Sequence, residues 1–77
     1  RVTEIEDIAS SHSGVRQAYA INAGREVRVI VNATLVNDDE SVLMAREIAK
    51  EIEERVQYPG EIKVNVIRES RAVEFAK

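Results

Sequence analysis

The sequence predicts an α+β domain with the element order αββαβ: a small three-stranded mixed sheet with one long helix on one face and a short N-terminal helix. Two alternating segments flank the turn-forming "NAGR", a pattern typical of an antiparallel hairpin. A long amphipathic segment that begins at "NDDE" predicts the main helix, and a third alternating segment follows it. We expect one domain over residues 1–77.

The N-terminal segment predicts a short helix and then the hairpin. Val2, Ile5 and Ile8 recur at helical spacing, so a helix is expected over residues 2–10. Apolar and polar residues alternate in "VRQAYAI" and again in "REVRVIVNA", with Gln17 as the one residue out of pattern. Gly24 between the two segments can adopt the positive φ of a short turn.

The segment from Asn37 to Tyr58 carries the clearest helix signals. Asn37 and Glu40 have the spacing of a capping box. Because Pro59 disfavours helical backbone at the residue before it, the helix is expected to end by about Tyr58. One apolar stripe is predicted along this helix, made of Val42, Ala45, Ile48, Ala49, Ile52 and Val56.

The third strand is predicted in "EIKVNVIR". A right-handed crossover through the long helix favours parallel pairing with the second strand. The remaining "ESRAVEFA" keeps a period of two through Val73 and Phe75. That tail is expected either to extend the strand after a bulge or to reach a neighbouring subunit.

Composition limits the functions open to the chain. There are no cysteines, which excludes disulfides and thiolate metal sites. The net charge of −3 gives no overall basic field for nucleic acid. No apolar run approaches the roughly 20 residues that span a bilayer, so no membrane contact is expected of this segment. The chain opens without methionine, and we expect a fragment of a larger multidomain protein.

We predict no catalytic, metal or cofactor site. His12 is the only histidine and is interpreted as a solvated loop residue. The acidic "NDDE" lacks the alternating ligands and central glycine of a calcium loop and is interpreted as a helix start. Gly24 stands alone and cannot form a phosphate loop.

Two surfaces are candidates for partner contacts. The sheet face opposite the valines is predicted to be half apolar, and either the first helix or a second copy of the domain would cover it. Its predicted self-association residues are Ala18, Ala20, Ile30 and Ile67. A basic patch for RNA is the alternative, made of Arg16, Arg28, Lys63, Arg68 and Arg71. Against RNA contact, glutamates are interleaved with these cations and no aromatic platform is predicted there.

Three stretches carry a family resemblance: "YAINAGREVRVIV", "AREIAKEIEERVQYPGEIKVNVIRE" and "SRAVEFAK". Together they resemble the C-terminal end of the bacterial ribonuclease Y family. The resemblance implies a membrane-anchored endoribonuclease that cuts single-stranded RNA and initiates mRNA decay. It also implies a KH domain and an HD domain that uses divalent metal, both upstream of this segment. None of the HD ligands and none of the KH loop matches a residue of this chain.

Three roles are therefore expected of this cytoplasmic segment. The first is a non-catalytic C-terminal domain that forms a homodimer and contacts the HD domain of its own chain. The second is an auxiliary module that contacts RNA, the substrate of the parent enzyme. The third is a small-molecule regulatory module of the ACT or ferredoxin-like type, since ββαβ is part of that plan, although no strand is predicted before the first helix.

Overall fold

The computed structural model describes all residues 1–77 and confirms the predicted α+β fold. Helix α1 spans Val2–Ser10, strand β1 spans Val15–Ile21, and strand β2 spans Glu26–Asn32. Helix α2 spans Asp38–Arg55 and strand β3 spans Lys63–Glu69. The sheet order is β1-β2-β3, with β1 antiparallel and β3 parallel to β2, as the hairpin and the crossover predict.

Local sequence determines where α2 begins. The Asn37 side chain accepts a hydrogen bond from the Glu40 backbone N–H at 2.8 Å, and the Glu40 side chain accepts one from the Asn37 backbone N–H at 2.9 Å. This reciprocal pair is the predicted capping box. The helix ends at Arg55, three residues before the expected limit of Tyr58.

Both helices pack on the same face of the sheet. Ile5 and Ile8 of α1 and Ile48 and Ile52 of α2 are essentially fully buried. They form one core with the inward-facing valines of β2, which are Val27, Val29 and Val31. α1 lies mainly against β1, and α2 lies mainly against β3. The first helix therefore does not cover the second face of the sheet, so one of the two expected covers is ruled out within the chain.

The predicted stripe of α2 is wrong at its start. Val42 is 54% exposed, whereas Ser41 and Met44 are buried in the first turns of the helix. Successive helical residues differ by about 100° around the axis, so a stripe through Ser41, Met44 and Ile48 directs Val42 away from the sheet. Apolar surface is consequently left exposed near the start of α2.

A β-bulge in β1 overturns the predicted faces of that strand. Val15 lies opposite Val31 and Gln17 lies opposite Ile30, so Arg16 is an extra residue without a partner. One extra residue moves every later side chain of the strand to the other face. Ala18 and Ala20 therefore lie opposite Val29 and Val27 on the core face.

The C-terminal residues Ser70–Lys77, called the tail below, form no helix or strand and are all exposed. The last sheet-like contact is the Ala33 N–H donating to the Glu69 carbonyl at 3.0 Å. The molecule measures 51 × 26 × 17 Å. A seven-residue strand is only about 23 Å long, so the tail extends well beyond the two packed layers. Within the chain the tail does not extend the sheet.

Candidate functional site

The side of the sheet opposite the two helices, called the open face below, is not covered by any helix of the chain. Three cross-strand rows and one pair make it up: Ile21–Glu26–Lys63, Tyr19–Arg28–Asn65, Gln17–Ile30–Ile67 and Asn32–Glu69. Of the predicted self-association residues, Ile30 and Ile67 lie on the open face, and Ala18 and Ala20 do not. The bulge supplies Tyr19 and Ile21 in their place. The face is half apolar, as predicted, but with different residues.

The centre of the open face places an aromatic ring beside a cation. Tyr19 lies opposite Arg28 in the register, and the Arg28 Nε lies 3.4 Å from Glu26 Oε2. The neighbouring Tyr19 hydroxyl and the Glu26 carboxylate raise the pKa of Arg28 above its ordinary value. The side chain of Glu26 is only 11% exposed, so its charge is held close to Arg28. The strand alternation predicted Tyr19 on the valine side of the sheet, and the bulge places it on the open face instead.

The five cations proposed for RNA contact do not form one patch. Arg28 and Lys63 lie on the open face, and Lys63 forms no ion pair. Arg16 and Arg71 both reach Glu69 at the end of β3, with Arg16 Nη1 at 3.5 Å. Each of the two is therefore partly neutralised by the same carboxylate.

Arg68 lies on the helix side of the sheet and has a structural role. Its Nε donates to the Val36 carbonyl at 2.8 Å and its Nη2 donates to the Ala33 carbonyl at 3.0 Å. Its Nη1 pairs with Asp38 Oδ1 at 2.9 Å. These bonds connect β3 to the loop that leads into α2, so the guanidinium is not available to the open face.

The chain is 84% identical over 77 residues to ribonuclease Y of Sulfurimonas denitrificans. It is 74% identical to ribonuclease Y of Campylobacter curvus and 75% identical to that of Campylobacter jejuni. Each alignment covers all of this chain and 15% of the relative.

The chain matches the C-terminal region of bacterial ribonuclease Y along its whole length. The resemblance drawn from the sequence is thereby confirmed. No protein-family model matches the chain, and no solved structure matches it.

The remaining polar clusters of the chain connect parts of the fold. His12 is not a solvated loop residue: its side chain is 15% exposed, and its Nε2 lies 2.7 Å from Glu51 Oε1 of α2. Its Nδ1 lies 4.0 Å from Glu47 Oε2. The histidine therefore joins the loop after α1 to the middle of α2. Sequence alone gave no signal for this contact, because the partners are 39 residues apart.

No group of three or more histidine, aspartate or glutamate side chains lies close enough together to hold a metal ion. Neither helix has the length and apolar character needed to cross a lipid bilayer. A groove that includes the capping-box residue Glu40 lies beside the start of α2.

Proposed function

We propose that the chain is a non-catalytic C-terminal domain of a ribonuclease Y-type endoribonuclease that initiates mRNA decay, and that it holds two copies of the enzyme together. In the longer protein, an upstream HD domain with divalent metal carries out the cleavage of single-stranded RNA. The membrane anchor lies outside residues 1–77, and this domain lies on the cytoplasmic side. The open face is the observation that carries the self-association role.

The chemistry of the open face suits contact with a second copy. Tyr19, Ile21, Ile30 and Ile67 supply apolar area, and Ile67 is 37% exposed without a partner. The β3 side chains on the open face include both signs of charge, with Lys63 at one end of the strand and Glu69 at the other. A two-fold axis that lies in the interface perpendicular to the strands would bring Lys63 of each copy toward Glu69 of the other. Isologous dimers require this kind of self-complementary surface.

Self-association can be tested by analytical ultracentrifugation of residues 1–77. The wild-type chain should form dimers, and Ile67→Asp should raise the dimer dissociation constant at least about tenfold, because a carboxylate would replace a buried apolar contact. Val2→Asp is the matched control, since Val2 is an apolar residue of similar exposure (42%) on α1, away from the face. A strictly monomeric wild-type chain at high concentration would remove the self-association role.

The non-catalytic role has a separate test. Residues 1–77 incubated with single-stranded RNA and either Mg²⁺ or Mn²⁺ should leave the RNA intact. Hydrolysis by this segment alone would overturn that part of the proposal, whatever its oligomeric state.

Contact with RNA is a second candidate, favoured by the Tyr19–Arg28 row beside the unpaired Lys63. An aromatic ring with neighbouring cations is the arrangement on which single-stranded bases stack.

The regulatory alternative of the ACT or ferredoxin-like type stays a prediction, and the three-stranded sheet offers no further support for it.

Arg28→Gln separates the RNA candidate from a purely structural face. If RNA lies on the open face, the variant should bind single-stranded RNA at least about fivefold more weakly. The slope of log affinity against log salt should also fall by about 0.7, the value for one lost phosphate contact on a single strand. Arg46→Gln removes the same charge from an exposed position on α2 and should leave both quantities unchanged. Equal behaviour of the two variants in anisotropy titrations would count against RNA on this face.

A further inference from the structure

A groove beside the start of α2, called the α2 groove below, exposes apolar surface without a partner. Its volume is about 360 Å³, and it is lined by Ser13, Gly14, Leu35, Val36, Glu40 and Met44. Leu43 and Glu47 continue the depression along α2. Leu35 is 66% exposed and Leu43 is 55% exposed. Pockets that hold ligands begin at roughly this volume, about 300 Å³, so the groove can accept one or two side chains.

The tail presents a complementary pattern on one of its sides. In an extended chain alternate residues point the same way, so Arg71, Val73, Phe75 and Lys77 share one side. Val73 is 67% exposed and Phe75 is 81% exposed, and neither belongs to the core. The other side carries Ala72, Glu74 and Ala76. One side of the tail is thus an apolar pair with a cation at each end.

The groove and the tail match in polarity and in charge. Leu35 and Met44 provide apolar surface for Val73 and Phe75. Glu40 and Glu47 line the groove from one helix and lie about 10 Å apart along its axis. Arg71 is paired with Glu69 of its own domain, so Lys77 is the tail cation that these carboxylates can attract.

We propose that the tail of one copy docks in the α2 groove of a second copy, with Phe75 as its anchor. The tail leaves the domain at the end of β3, at the same end of the sheet as the groove, because Arg68 of β3 donates to the carbonyl of Val36, which lines the groove. The tail nevertheless extends away from its own domain and leaves Phe75 81% exposed, which favours the groove of a neighbouring copy. Exchange of two tails closes a symmetric pair.

This inference rests on the self-association role proposed above and adds a contact distinct from the open face. Cysteine cross-linking tests it directly, because the chain has no cysteine of its own. One copy carries Phe75→Cys, and a second copy, made distinguishable by mass, carries Leu35→Cys in the groove. A third copy carries Lys63→Cys on the open face as the matched control. Circular dichroism confirms that each variant is folded.

Two mixtures are oxidised mildly: Phe75→Cys with Leu35→Cys, and Phe75→Cys with Lys63→Cys. The first mixture should give at least about five times as much mixed-mass dimer as the second. Phe75→Ala should raise the dimer dissociation constant at least about tenfold, because burial of one aromatic side chain accounts for a factor of that size. Glu74→Gln, on the other side of the tail, should leave it unchanged.

Preferential linkage to Lys63→Cys would place the tail on the open face and overturn the inference. A chain carrying both Phe75→Cys and Leu35→Cys that links only within itself would also overturn it. A dimer that persists in Phe75→Ala would exclude the tail as an anchor while leaving self-association through the open face intact. A monomeric wild-type chain would instead remove the proposed self-association itself.

Discussion

Replacing Gly14 with alanine should lower the free energy of unfolding by about 3 kcal/mol, from two separate costs. Gly14 has φ +87°, in the left-handed region where a side chain costs roughly 1–2 kcal/mol. A Cβ at Gly14 would also lie 2.6 Å from Val36 Cγ2. Val36 is 5% exposed and belongs to the core, so the methyl group has little room to move. Overpacking of this kind costs roughly 1–3 kcal/mol.

Gly60 provides the control for the backbone cost alone. It has φ +76°, close to that of Gly14, but nothing lies within 4 Å of a Cβ placed there. Gly60→Ala should therefore lower the free energy of unfolding by only about 1 kcal/mol. Urea unfolding followed by circular dichroism measures both losses, provided that the free energy of unfolding falls with urea concentration at the same slope in the two variants. Equal losses in Gly14→Ala and Gly60→Ala would refute the steric part of the argument.

The loss at Gly14 is large for a domain of this size. Stabilities of about 0.05–0.15 kcal/mol per residue give roughly 4–11 kcal/mol for such a chain. A loss of about 3 kcal/mol should lower Tm by roughly 10–25 °C. Because Gly14 also lines the α2 groove, the variant tests the packing on which the shape of that groove depends.

The sequence predicts those features of the fold that depend on neighbouring residues. Asn37 and Glu40 are three residues apart, and their reciprocal hydrogen bonds form within one turn. The hairpin and the crossover likewise follow from alternation and from connection length. Glu51 and Arg55 lie one helical turn apart, with Arg55 Nη1 at 3.7 Å from Glu51 Oε2. All of these are local interactions.

The face on which each β1 side chain lies depends on the one extra residue at the bulge. Gln17 breaks the alternation of β1, and the bulge beside it reverses Ala18, Tyr19 and Ala20 together. The reversal brings small side chains beneath α1, where the Glu6 carboxylate also accepts a hydrogen bond from the Ala20 N–H at 2.8 Å. It leaves Tyr19 on the open face. A misfit in a period of two indicates a bulge, and only the position of the helices shows which residues it moves.

The polar contacts between residues far apart in the chain could not be predicted from the sequence either. Arg68 and Val36 are 32 residues apart, and His12 and Glu51 are 39 apart. Nothing in the composition distinguishes Arg68 from Arg28, although the first is bonded to backbone carbonyls and the second lies on the open face. The candidate RNA patch was therefore predicted from residue type, and the structure divides it by position.

Arg68→Ala should lower the free energy of unfolding by about 2 kcal/mol, because it leaves the carbonyls of Ala33 and Val36 without their donor. Removing three hydrogen bonds from a site without access to water would lower the free energy of unfolding further. The Arg68 side chain is 35% exposed, so water replaces part of what is lost. Asp38→Ala is the control: Asp38 is 88% exposed, and removing this single exposed ion pair should cost less than about 1 kcal/mol. Urea unfolding again provides the measurement.

Arg68→Lys distinguishes a structural arginine from an RNA contact. Lysine keeps the positive charge but cannot reproduce the planar guanidinium that reaches Val36, Ala33 and Asp38 together. Arg68→Lys should therefore lower the free energy of unfolding by more than half as much as Arg68→Ala does. Its affinity for single-stranded RNA, measured where both proteins remain folded, should equal that of the wild type. A fully stable Arg68→Lys variant, or one with weaker RNA binding, would contradict the structural role and return Arg68 to the group of candidate RNA contacts.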